Sequence, residues 1–169
     1  EFGVGKTTLA IEVSKKASEE KLFDEVGMAV VSRYPDVRKI QGEIADLFGI
    51  KFTQETELGR ADFLREQLKR KKKILIILDD VWKRIELKDI GIPFGDANGG
   101  CKILLTSRSV DTCNDMGAQK IFPVEVFSRE EAWNLFKEIA GISEDHTNLH
   151  SLQMDVAKEC GGLPLALSS

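Results

Sequence analysis

The sequence predicts an α/β domain built on a mostly parallel sheet with helices on both faces. Three observations lead there. Short, nearly continuous apolar runs at 26–32, 74–78 and 102–106 alternate with segments whose apolar residues recur at helical spacing. The runs lack polar alternation, as parallel strands covered on both sides do. Two of them stop at polar clusters, Asp79-Asp80 and Ser107-Arg108, at the strand ends where such sheets bind ligands.

In order along the chain, Leu9, Ala10, Val13 and Ala17 place a helix from near Lys6. "VGMAVVS" (26–32) reads as a buried parallel strand. Val37, Ile40, Ile44, Leu47 and Phe48 form a helical stripe behind Asp36, with Gly49 as its stop. Leu58, Ala61, Leu64 and Leu68 form another, ending in "KRKKK" (69–73). "ILIIL" (74–78) and "KILLT" (102–106) are strands, and "KIFPVEVF" (120–127) is a weaker one that Pro123 assigns to an edge or a bulge. From Ser128 the pattern turns helical. Ser128 and Glu131 fit a capping box ahead of Ala132, Trp133, Phe136, Ile139 and Ala140. A second helix is expected over Leu149–Cys160, and "LPLAL" reads as the start of a third, with Pro164 in its first turn. The expected division is therefore 1–127 for the sheet and 128–169 for a helical part.

Composition narrows the function classes. The 169 residues are 42% hydrophobic and 31% charged, in the range of globular domains. A net charge of −4 supplies no global field for nucleic acid or anionic lipid. No run of apolar residues is long enough to span a bilayer, and the first residues lack the pattern of a secretory signal. Cys101, Cys113 and Cys160 are odd in number and widely spaced, which fits reduced thiols in the cytoplasm. His146 and His150 lack partners at metal-ligand spacing, and "KRKKK" suits a solvated helix end.

The chemistry lies in three short segments. Gly3, Val4, Gly5, Lys6, Thr7 and Thr8 make up most of a phosphate cradle. Glycines let backbone amides face an anion, and the following helix adds partial positive charge. Lys6 has the reach for outer phosphates, and the Thr7 hydroxyl suits magnesium. The alternative is a glycine-rich helix start with a solvent lysine. A dinucleotide site fits worse, because Thr8 stands where a third glycine is needed. "LIILDDVW" supplies two adjacent carboxylates that point different ways, one for a magnesium shell and the other for an attacking water. Its distance downstream of the Gly-Lys-Thr loop makes the pair more than an acidic strand end. In "KILLTSR", Arg108 by itself reads as a loop arginine, though a guanidinium there has the geometry to read a terminal phosphate.

Taken together, "GVGKTTLA", "LIILDDVW", "CKILLTSRS" and "CGGLPLAL" resemble the NB-ARC domain of plant disease-resistance proteins, the nucleotide-binding leucine-rich-repeat receptors. The resemblance covers essentially the whole chain, and Trp82 after "LDDV" resembles the coiled-coil class. It implies a P-loop NTPase-type sheet followed by the start of a helical ARC subdomain. It also implies an ATP/ADP switch with magnesium and slow hydrolysis. Gly3 to Thr8 would bind phosphates, Lys6 the outer ones. Thr7 and Asp79 would belong to the magnesium site, Asp80 would be the general base, Arg108 the phosphate sensor, and Leu163 and Pro164 would lie by the adenine. Implied partners are the nucleotide, an N-terminal coiled coil, leucine-rich repeats, and further receptor copies on activation. The strand ending at Arg108 is expected between the loop's own strand and the strand ending at Asp79.

The chain starts inside the phosphate loop, so the loop's strand and first glycine are expected outside it. Glu1-Phe2 is also what the hexamer GAATTC encodes, which fits a cloned receptor fragment with primer- or vector-derived ends. On this reading the sheet lacks a central member and leaves strand edges open, and the isolated fragment is loosely packed and inactive.

Overall fold

The computed structural model describes residues 4–93, 100–118, 120–123, 130, 133, 134, 137 and 164–168, with the backbone alone for 4–9, 120–123 and 164–168. Helix α1 (Val4–Glu19) leads into strand β1 (Glu25–Val30), then α2 (Val37–Leu47), α3 (Glu57–Lys69) and β2 (Ile74–Val81). The short α4 (Leu87–Ile90), β3 (Cys101–Ser107), α5 (Val110–Asp115), β4 (Lys120–Pro123) and β5 (Pro164–Ser168) follow. The sheet order is β1-β2-β3-β5-β4. β1, β2 and β3 pair in parallel, whereas β5 runs antiparallel to both β3 and β4.

Both faces of the central strand are covered. Ile74, Ile76 and Leu78 join the cluster formed with Ile40, Ile44, Leu64 and Leu68 of α2 and α3. Leu75 and Ile77 alternate to the opposite side and are equally buried. Ala10, Val13 and Ala17 of α1 are fully buried, and α1 packs along β1, β2 and β3. Truncating any one of these β2 side chains to Ala would cost about 2–5 kcal/mol, because so dense an interior collapses only partly around the cavity.

Local chemistry fixes the helix ends. Asp36 caps α2 by accepting from the amides of Arg38 and Lys39, and Gly49, at φ 67°, takes the left-handed turn beyond it. The Thr56 hydroxyl caps α3 through the Gly59 amide. Gln41 is fully buried on α2 and donates Nε2 to the carbonyls of Glu57, Asp89 and Ile90, tying α2 to the start of α3 and the end of α4. Lys72 and Lys73 of the basic run face solvent, while Lys71 pairs with Glu25 at 2.5 Å.

Several expectations change. β1 is an edge strand and not buried on both faces, and its Val30 is 57% exposed. Leu47 and Leu58 fit their helical stripes by spacing but lie outside the core. "LPLAL" does not begin a helix. Residues 164–168 form β5, which takes the seat between β3 and β4, so the edge of β3 expected to stand open is paired. Unpaired backbone groups along β3 need partners, and a short apolar run with little helical length can supply them. Of the strand expected over 120–127, residues 120–123 form β4 at the sheet's edge, the kind of position Pro123 suggests, and 124–127 lie outside the described residues. Glu130, Trp133, Asn134 and Lys137 are helical, with Trp133 buried. The Lys16 ammonium lies 5.8 Å from the Trp133 ring centroid, bringing that segment against α1. Gly3, the capping box at Ser128, the helix expected over 149–160, Cys160, both histidines, Leu163 and the division near residue 127 lie outside the described residues.

Candidate nucleotide site

The carboxyl ends of β1, β2 and β3 converge on one small group of side chains. The key local feature is an irregularity in β2. Leu78 pairs with Leu105 and Val81 with Ser107, so Asp79 and Asp80 together stand opposite the single residue Thr106. Such two-against-one bulges bend a strand and re-aim its side chains. Asp80 absorbs the extra residue in the left-handed region, at φ 62°, which Asp tolerates better than most side chains. The bulge separates the two carboxylates. Asp79 is buried, 1% exposed, while the Asp80 side chain is 31% exposed.

Thr106 holds the bulge in shape. Its hydroxyl donates to Asp79 Oδ1 at 2.6 Å and accepts from the Asp80 amide at 2.8 Å. One step further, the Ser107 hydroxyl donates to the Val81 carbonyl at 2.7 Å and accepts from the Ser109 amide. The Ser109 side chain in turn caps α5 through the Thr112 amide. The Thr106 and Ser107 hydroxyls thus fix the ends of β2 and β3 relative to each other.

Around Asp80 the geometry becomes electrostatic. Trp82 Nε1 donates to Asp80 Oδ2 at 3.0 Å, and Arg108 Nε lies 4.0 Å from Asp80 Oδ1. The Arg108 pair is partly exposed, so its direct contribution to stability is small. The Arg108 guanidinium carbon lies 4.7 Å from the Trp82 ring centroid, and that of Arg33, after β1, lies 5.2 Å from it.

Of the residues expected at the site, Asp79, Asp80 and Arg108 are therefore brought together. Val4, Gly5, Lys6, Thr7 and Thr8 run as the first turns of α1, whose side chains here lie outside the described set along with Gly3. Pro164 pairs with Pro123 in the sheet instead of starting a helix. Thr106, Trp82 and Arg33 have contacts here that their sequence positions did not single out. The available signals were a hydroxyl at the end of an otherwise apolar strand and an indole two places after the second of two carboxylates.

The donors present fit a magnesium ion. Magnesium takes hard oxygen ligands, and is usually held by one or two carboxylates together with substrate phosphates. Asp79 and Asp80 supply such oxygens, and among the described residues no larger cluster of His, Cys, Asp and Glu suggests a different metal. A cleft of about 550 Å³ opens elsewhere, beside Arg65, Lys69, Arg84, Lys88 and Met116. None of Asp79, Asp80, Trp82 or Arg108 lines it, so this cleft is separate from the strand-end group, which lies where sheets of this kind bind ligands.

A family model of the NB-ARC domain matches residues 1–146. The chain belongs to the NB-ARC family. Nucleotide binding is implied by that membership. The chain is 38% identical to disease resistance protein RPS5 of Arabidopsis thaliana, over 98% of its own length and 19% of the relative's. Disease resistance proteins SUMM2 and RFL1 of the same plant are each 37% identical over 98% of the chain, which again covers 19% of each relative. The chain thus spans about a fifth of the length of the curated relatives it matches. Among the described residues, no helix is long and apolar enough to cross a membrane.

Proposed function

We propose that this NB-ARC chain is the ATP/ADP switch of a cytoplasmic plant immune receptor, with ADP held in the resting state and ATP in the active one. The observation that carries the reading is the bulge. It sends consecutive carboxylates into different surroundings, Asp79 buried and Asp80 partly exposed, with the arginine that follows the next strand near the second. Carboxylates in two such environments suit a site that binds a metal-nucleotide complex through one and orients a water with the other.

In this reading Gly3, Val4, Gly5 and Thr8 direct backbone amides at the phosphates, and Lys6 neutralises the outer ones. Thr7 and Asp79 would hold magnesium, which supplies charge neutralisation on the phosphoryl oxygens when bound. Asp80 accepts the proton of the attacking water, or orients it. Arg108 detects the terminal phosphate, which ATP has and ADP lacks. Leu163 and Pro164 flank the adenine. Residues 1–127 form the nucleotide-binding subdomain and 128–169 the beginning of the helical ARC subdomain. Partner domains are an N-terminal coiled coil and leucine-rich repeats, with self-association following activation.

A second reading has one observation in its favour. Asp80 already accepts from Trp82, and Arg108 stands close to its other oxygen, which reduces its capacity to receive a water. The domain would then be an ADP-binding interaction module without meaningful turnover. Single-turnover hydrolysis by the full-length receptor separates the two. Slow conversion of bound ATP to ADP supports the switch, and bound ATP that persists unchanged favours the module. A mechanical or metabolic ATPase fits less well, since the relatives that the chain matches are disease resistance proteins.

A further inference from the structure

We propose that Trp82 is the positioning residue that sets where Arg108 and Asp80 stand, and so tunes the site's preference for ATP over ADP. The inference rests on Arg108 sensing the terminal phosphate. It starts from the fact that core burial does not place this indole, since Trp82 is 37% exposed. Its backbone is nevertheless held firmly. The Trp82 carbonyl accepts from Thr112 Oγ1 of α5 at 3.4 Å, and the preceding Val81 carbonyl accepts from Ser107 Oγ.

From that anchorage the ring meets three charged groups, one from the end of each parallel strand. Arg33 follows β1, Asp80 belongs to the β2 bulge and Arg108 follows β3. An indole face is the strongest side-chain platform for a cation, and a planar guanidinium stacks on it. The indole N–H is a donor only, so it orients the Asp80 carboxylate in one sense. Two guanidiniums that share one ring would otherwise repel each other. The ring gives each a place, and the Asp80 carboxylate lies beside Arg108. Arg108 is therefore not a free loop side chain, because its approach to a phosphate starts from a position that Trp82 sets.

Two groups on one side chain allow the roles to be separated by substitution. Trp82→Leu removes both the platform and the N–H. Trp82→Phe keeps a ring for Arg108 and loses only the donor to Asp80. An exposed cation–π contact corresponds to roughly a twofold to fivefold change in an equilibrium constant. That change should fall on ATP, because ADP offers Arg108 no terminal phosphate.

The test is calorimetric titration of ATP and ADP into the full-length receptor carrying Trp82→Leu, Arg108→Ala, both, or Trp82→Phe. Trp82→Leu is expected to weaken ATP about twofold to fivefold with ADP unchanged, and to add nothing in the Arg108→Ala background. Trp82→Phe is expected to keep the ATP/ADP ratio and to slow single-turnover hydrolysis. Equal losses for ATP and ADP, or a full additional loss in the double variant, would make Trp82 merely structural and overturn the proposal. Should Trp82→Leu fail to fold, Trp82→Phe decides alone, since a changed ATP/ADP ratio with hydrolysis unaffected contradicts the assignment. If Arg108→Ala itself leaves ATP affinity intact, the phosphate-sensing role falls and this inference falls with it, an outcome distinct from additivity.

Discussion

Thr106 stands alone opposite the bulge in β2 and donates its hydroxyl to Asp79 across 2.6 Å. The same oxygen accepts the Asp80 amide. A single methyl-sized change therefore reaches both carboxylates. Thr106→Val keeps the shape, leaves the buried Asp79 one donor short and strips the Asp80 amide of its acceptor. Removing a partner from a buried polar group costs about 1–3 kcal/mol, and more where the group is charged. Chemical denaturation should show that loss, with Thr106→Ser restoring most of it. Equal stability of the Val variant would mean that the hydroxyl does not hold the bulge.

Asp80→Ala should slow hydrolysis in the full-length receptor by on the order of a hundredfold to ten-thousandfold while weakening ATP binding far less. Asp80→Asn is the sharper variant, because Asn also tolerates the left-handed backbone and still accepts from Trp82. Single-turnover kinetics beside direct titration measures both. A collapse of ATP affinity with normal turnover of whatever is bound would exchange the roles of Asp79 and Asp80.

Much of this architecture is legible in the residues themselves. Ile74–Leu78 and Ile103–Leu105 are apolar without alternation, and both are buried centrally in the sheet. Asp36 and Gly49 mark the ends of α2 through capping chemistry that is local by nature. What is not local is harder to read. Leu58 fits a helical stripe, yet its exposure depends on what α3 packs against. "PLALS" is too short for periodicity to separate strand from helix, and its state is decided by the free edge of β3. At the site, alternation along a strand predicts that Asp79 and Asp80 diverge. The bulge that achieves it depends on register with β3, and the meeting of Arg33, Trp82 and Arg108 depends on strand order.

Gly91 closes α4 in the left-handed conformation at φ 102°. A Cβ there would run into the Ala61 backbone carbonyl of α3, which has no side-chain freedom to move aside. Gly91→Ala should therefore lose more than the roughly 1–2 kcal/mol of the conformational term alone. Thermal melting of the variant measures the loss, and an unchanged midpoint would contradict the close packing of α4 on α3.

Burial pushes the Cys101 thiol from 9.0 up to about 12, with Lys102 opposing the shift. In the folded protein the proton is kept where the unfolded chain has already released it. Between about pH 9 and 12 the unfolded state thus binds fewer protons, and stability must fall as pH rises. Cys101→Ala should flatten that alkaline slope, at some cost in packing. Denaturation midpoints taken across the alkaline range check it, and identical slopes for the two proteins would contradict the burial of the thiol.

The account stands on phosphate recognition by the loop that opens the chain. Lys6→Ala in the full-length receptor removes the cradle's only lysine, and charge-assisted hydrogen bonds of this kind contribute about 1.5–3 kcal/mol each. The direct measurement is a calorimetric titration of ADP into the wild-type receptor and the Lys6→Ala variant, at matched magnesium and salt. The account predicts saturable binding by the wild type and none by the variant over the same concentrations. Equal ADP affinity in the two proteins would contradict it.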